Sequence, residues 1–140
     1  LCRQEACDIS RILLGGLMAG GQIGDGSSRE QAASSQKVLG GFANLANEYA
    51  TKRYRSNLIN WGSLPLRTEE SITLEEGDYV FLRDVRKVLE EKQDPVELEV
   101  LTCRDGPVQV SGRIVCTLDS LTDEERQILL DGSLINYYKR

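Results

Sequence analysis

"GGQIGDGSSREQAASSQ", residues 20–36, decides how the chain is read. Glycines give way to Ser27-Ser28-Arg29-Glu30 and then to residues that suit a helix. A plain loop needs no Arg-Glu behind its serines, and an ordinary helix start needs no such run of glycine. Together they describe a turn at a helix start whose backbone is open to close approach. A helix start presents unpaired N–H groups and a partial positive charge. The turn therefore suits an anion: a phosphate, a carboxylate, or a serine oxygen carrying developing negative charge. Arg29 adds a planar, permanently charged fork that matches a carboxylate. No Gly-Lys precedes a Ser or Thr, and GxGxxG is absent, so a nucleotide phosphate is poorly indicated. The same residues also describe a helix with a flexible lead-in, capped by Ser27 with Glu30 or by Ser28 with Gln31.

Upstream, "RILLGGLMAGG" (11–21) reads as a buried strand, with Ile12 to Leu14 in it, running into the glycine turn. The helix is expected over 28–39, stopped by Gly40-Gly41. "FANLA" (42–46) reads as a short strand. A second helix is expected from about 47 to 60, ending at Gly62 with Pro65 beyond it. At about 100° per residue, Ala46, Ala50, Tyr54, Leu58 and Trp61 share one face. Asn57 falls in its middle, and a buried amide must find partners, so Asn57 is expected to tie down a neighbouring backbone loop. From residue 71 the character is β. "SITL" and "YVFLRDV" flank the turn "EEGD", and "RKVLEEKQDP" holds a short helical turn. "VELEVLT" and "VQVSGRIVCTL" form a hairpin around "RDGP". "LTDEERQILLDG" is a final helix with Thr122 and Glu125 as a capping box. The order implies an α/β fold, layered, with a parallel sheet half and an antiparallel sheet half.

The 140 residues suit one domain, and their net charge of −5 argues against a nucleic-acid partner. No apolar run reaches membrane-spanning length. The four cysteines, Cys2, Cys7, Cys103 and Cys116, form no CxxC, and there is no histidine. The commonest zinc arrangements and His-dependent nucleophilic catalysis are thus not available within the chain. Across the "RDG" turn Cys103 faces about residue 108 rather than Cys116, so no cross-strand disulfide is implied. Reduced thiols in a cytoplasmic protein are expected. The chain begins at Leu1 rather than Met, which reads as a fragment or processed piece. The cluster Lys52, Arg53 and Arg55 is either a solvated helix face or the lining of a cleft for polyanionic acids. Arg53, nearest the apolar edge, is the best placed to bind substrate.

"GDGSSREQAA", then "LGG", then "YATKRYRSNLINWGSLPL" resembles the swivelling C-terminal domain of the aconitase family of hydro-lyases. The match is tight over residues 24–66 and loose elsewhere. The resemblance implies a β/β/α swivelling domain and reversible hydration of a hydroxy-polycarboxylic acid. It implies a [4Fe–4S] cluster held by other domains of the same enzyme, with no cluster ligand in this chain. Carried over by position, it makes Ser27 the base that removes a carbon-bound proton, with Ser28 and Arg29 contacting a substrate carboxylate. Gln31 and Tyr54 stand where the family commonly has His. The small subunit of a two-chain isopropylmalate dehydratase-type isomerase is one alternative. A non-catalytic domain that binds anions or protein partners is another.

Overall fold

The computed structural model describes residue 10, residues 12–104 and residues 106–140. Cys2, Cys7, Arg11 and Asp105, the expected turn residue, lie outside the described residues. Among the described residues, six strands fall into two sheets, as the α/β reading requires. β1 (Gly16–Ile23), β2 (Gly41–Tyr49) and β3 (Leu64–Arg67) form a parallel sheet in the order β1-β2-β3. Its crossovers carry α1 (Arg29–Val38) and α2 (Lys52–Asn60). β4 (Tyr79–Phe81), β5 (Val96–Thr102) and β6 (Gln109–Cys116) form an antiparallel sheet in the order β4-β5-β6. α3 (Val85–Glu90) precedes β5, while α4 (Asp123–Asp131) and α5 (Leu134–Tyr137) close the chain.

The sheets are stitched together where β3 meets the end of β6. Arg67 and Thr117 exchange both backbone hydrogen bonds, at 2.9 and 2.7 Å, and the Thr68 hydroxyl donates to the Val115 carbonyl at 2.7 Å. One main core serves both halves. Leu45, Ile59 and Leu66 from the parallel half pack with Leu98, Val100, Ile114, Leu118 and Ile128. A smaller cluster of Ala33, Tyr54 and Leu58 sits between α1 and α2, with Ile23, Tyr49 and Trp61 against it. Burial of these apolar groups supplies most of the drive to fold.

Several expected boundaries move. The first strand starts at Gly16, and Leu13 and Leu14 are 68% and 78% exposed rather than buried. Here a Cβ on Gly15 would lie 1.8 Å from Phe42 Cδ2, so the chain crosses the Phe42 ring before pairing begins. Gly20 and Gly21 belong to β1, and the glycine turn shrinks to Gly24–Gly26. β2 runs on through Tyr49, past the expected start of the second helix. Residues 43–49 are ordinary helix formers, but β2 is the central strand with two parallel neighbours. Pairing and the complete burial of Leu45 and Ala46 override local preference. "SITL" forms no strand; Ile72 and Leu74 only lean on the main core. In the hairpin, a bulge between Val100 and Leu101 puts two successive side chains inside and breaks the expected alternation. Gly40, at φ +86°, ends α1 as expected, and both bonds of the Thr122–Glu125 capping box are present.

Candidate functional site

β1 ends at Ile23, and the chain turns through Gly24, at φ +88°, into the serine pair. α1 then starts at Arg29 within the expected span. Its N-cap is Ser28, but neither expected capping box forms: the Ser28 side chain makes no cap hydrogen bond. Its backbone, at φ −89° and ψ 57°, departs from the extended geometry that turns an N-cap oxygen back onto the helix. The Ser28 hydroxyl and the first-turn amides therefore remain available. The first intrahelical bond is Ala32 N–H to the Ser28 carbonyl at 3.0 Å.

A depression of 440 Å³ lies at this helix start. Ser27, Ser28 and Arg29 line it from the α1 side, and Arg53 and Asn57 line it from α2. All four side chains expected to form a site are thus on one surface. Ser27, Ser28 and Arg53 are exposed, while Arg29 is half-buried. The Nε of Arg29 is buried and has no hydrogen-bond partner among the described residues. A guanidinium N–H without a partner is costly when dry, so this donor suits a ligand's oxygen.

The Lys52–Arg53–Arg55 cluster splits. Arg55 donates to the Leu118 and Asp119 carbonyls at 2.8 and 3.1 Å and pairs with Glu125 at 3.6 Å. It ties α2 to the loop before α4. Arg53 alone of the three faces the depression, as its position at the apolar edge suggested. A second depression of 450 Å³ is lined by Tyr49, Lys52, Arg55, Arg67 and Asp119, among others. There Arg67 and Asp119 pair at 2.8 and 3.0 Å, so much of its charge is already matched.

Asn57 corrects the expectation made for it. Ala46 lies in β2 and Ala50 outside the helix, so the buried face of α2 centres on Tyr54 and Leu58. Asn57 then falls at the edge of that face, half-buried, with no side-chain hydrogen bond among the described residues. The buried amide that does fasten the elements is Asn44, fully buried on β2. Its oxygen accepts from Gln36 of α1, and its NH₂ donates to the Tyr54 hydroxyl at 3.2 Å. The Tyr54 hydroxyl also lies 3.5 Å from Gln36 Oε1. This three-way link under the site was not read from sequence; the one signal for it was a polar residue inside the apolar strand "FANLA".

Residues 14–71 match the family described as "Aconitase C-terminal domain". Over that stretch the chain resembles the aconitase C-terminal domain family. It is similar to aconitate hydratase A of Pseudomonas aeruginosa, at 32% identity over 129 residues, 89% of this chain and 14% of that protein. It is similar to the homoaconitase small subunit of Thermus thermophilus, at 34% identity over 89% of this chain and 64% of that one. The 3-isopropylmalate dehydratase small subunit of Metallosphaera sedula is 35% identical over 89% of this chain and 65% of its own length. The chain thus spans less than two thirds of each of these relatives. These likenesses support a hydro-lyase-related domain, built here on a parallel and an antiparallel sheet.

The two described cysteines do not fit the iron–sulfur cluster that the resemblance implies. Cys103 is exposed beyond the end of β5, and Cys116 is buried in the core. No group of three or more His, Cys, Asp or Glu among the described residues is placed to hold a metal ion. None of the described helices is long and apolar enough to cross a membrane.

Proposed function

We propose that this domain supplies the serine base and the carboxylate-binding turn of an aconitase-type hydro-lyase acting on a hydroxy-polycarboxylic acid. One observation carries the reading: Ser27, Ser28, Arg29 and Arg53 line one depression at a helix start, with the Arg29 Nε buried and unpartnered. Serine is a poor base unless its alkoxide is stabilised. The first-turn amides of α1, its positive end and the adjacent guanidinium all favour negative charge at this place. As the alkoxide, Ser27 takes the proton from carbon, the bond to hydroxyl breaks at the neighbouring carbon, and the hydroxyl leaves as water with a proton supplied by an acid of the domains that complete the site; the reverse sequence hydrates. Ser28, Arg29 and Arg53 bind the substrate, the first two at a carboxylate.

In this reading the active site is completed by other domains of the same enzyme, which carry the [4Fe–4S] cluster, and the isolated chain is inactive. The likeness to two proteins described as small subunits is compatible with a second arrangement, in which those domains form a separate large subunit. Both make the same demand on this chain. The described cysteines are unpaired, which suits a cytoplasmic enzyme.

The test is anaerobic turnover of citrate-like and malate-like acids by the enzyme containing this domain. Turnover of at least one is expected, with Arg29→Lys raising KM because a point charge cannot copy the two-pronged contact. Cluster-loaded enzyme that turns over none of them contradicts the reading.

A further inference from the structure

Resting on the proposed function, we propose that Asn57 is a further substrate-binding side chain of this site, acting with Arg53 to hold a carboxylate from the α2 side while Arg29 holds one from the α1 side. Arg53 and Asn57 are one turn apart on α2, about 40° apart around its axis. Both line the depression that begins at Ser27. Their direction is fixed from behind: Tyr54 and Leu58, on the same two turns, are 5% and 0% exposed in the cluster against α1.

Asn57, like Asn60 on the same helix, makes no side-chain hydrogen bond among the described residues, whereas Asn44, Asn47 and Asn136 each hold the fold together through their amides; of the two, only Asn57 lines the depression. The Asn57 amide is not buried: it stays open to solvent at the depression, where a ligand can take the place of water. Its NH₂ offers two donors beside the Arg53 fork, and its oxygen can accept a hydroxyl. Unlike a third cation, it adds donors without adding charge. Two guanidiniums on separate helices with an amide beside one of them suit a ligand with carboxylates at two points, rather than a single small anion.

The experiment uses the complete cluster-loaded enzyme and propane-1,2,3-tricarboxylate, which has no hydroxyl to eliminate, as a competitive probe. Asn57→Ala is expected to raise both the inhibition constant and KM about tenfold, the loss of one hydrogen bond to a charged group. Its kcat and ligand-free melting temperature should stay near wild type. Asn57→Asp, of equal size, should weaken the probe far more by placing a negative charge beside the carboxylate. A probe affinity unchanged in both variants overturns the proposal, as does a lower melting temperature with unchanged affinity, which would make Asn57 a structural tie. Ser27→Ala separates this from the reading it rests on. If that variant turns over normally, Ser27 is not the base; if it also binds the probe normally while Asn57→Ala does not, the Asn57 contact stands.

Discussion

The backbone of Gly24 rests on the ring of Tyr54: a Cβ on Gly24 would stand 2.2 Å from Tyr54 Cδ1. The turn that carries the serine pair is therefore seated on α2, and Tyr54 is held in turn by Asn44 and Gln36. This explains how a glycine-rich segment can present a defined site. Gly24→Ala combines a positive φ with a steric clash and should destabilise by about 2–4 kcal/mol. Tyr54→Phe keeps the ring and removes the partner of the Asn44 amide, costing about 1–3 kcal/mol. Urea denaturation gives both values. Because the ring still seats Gly24, KM in Tyr54→Phe should change little.

Two helix starts in this molecule make opposite use of their N-cap residue. At α4 the Thr122 hydroxyl accepts from Glu125 N–H at 3.1 Å and the Glu125 carboxylate accepts from Thr122 N–H at 2.9 Å. At α1 the Ser28 side chain makes no such bond. Thr122→Ala should therefore cost about 0.5–2 kcal/mol of stability. Ser28→Ala should leave stability nearly unchanged and instead raise KM. Paired melts and kinetics on the two variants check this.

The two described cysteines should behave differently toward thiol reagents. Burial first, and then the negative charge of Glu70, push the Cys116 thiol up to about 12. Cys103 is exposed. Alkylation at neutral pH followed by peptide mapping should modify Cys103 in the native protein and Cys116 only on unfolding. The linkage has a definite sign. Above the unfolded thiol value of about 8.5 the unfolded chain loses a proton that the folded chain keeps. The Cys116 contribution is thus fully present below that value and declines as pH rises toward about 12. Cys116→Ala should flatten that part of the alkaline stability profile.

Much of this was legible in the sequence because it rested on local signals. Gly40 after α1, Thr122 and Glu125 around α4, and the two strands of the hairpin each declare themselves within a few residues. The four expected site residues also came together, since three are consecutive and Arg53 was placed by helical spacing. What failed depended on distant partners. The strand at residues 47–49 is imposed by β1, which pairs with Glu48 and Tyr49, and the four residues misplaced at the start of β1 reflect where Phe42 lies. That error in β2 carried over to Asn57: counting Ala46 and Ala50 as helical moved the centre of the buried face onto it. The Gln36–Asn44–Tyr54 link joins three elements and has no local signature.

The central claim is that Ser27 is a base and not part of a helix cap. The measurement is kcat, KM and melting temperature on one preparation of Ser27→Ala in the complete, cluster-loaded enzyme. A base acts in the transition state more than in the ground state, so kcat should fall by about 10²–10⁴-fold with KM little changed. The melting temperature should hold, because the N-cap position belongs to Ser28. Turnover near wild type, with or without a lower melting temperature, would contradict the account.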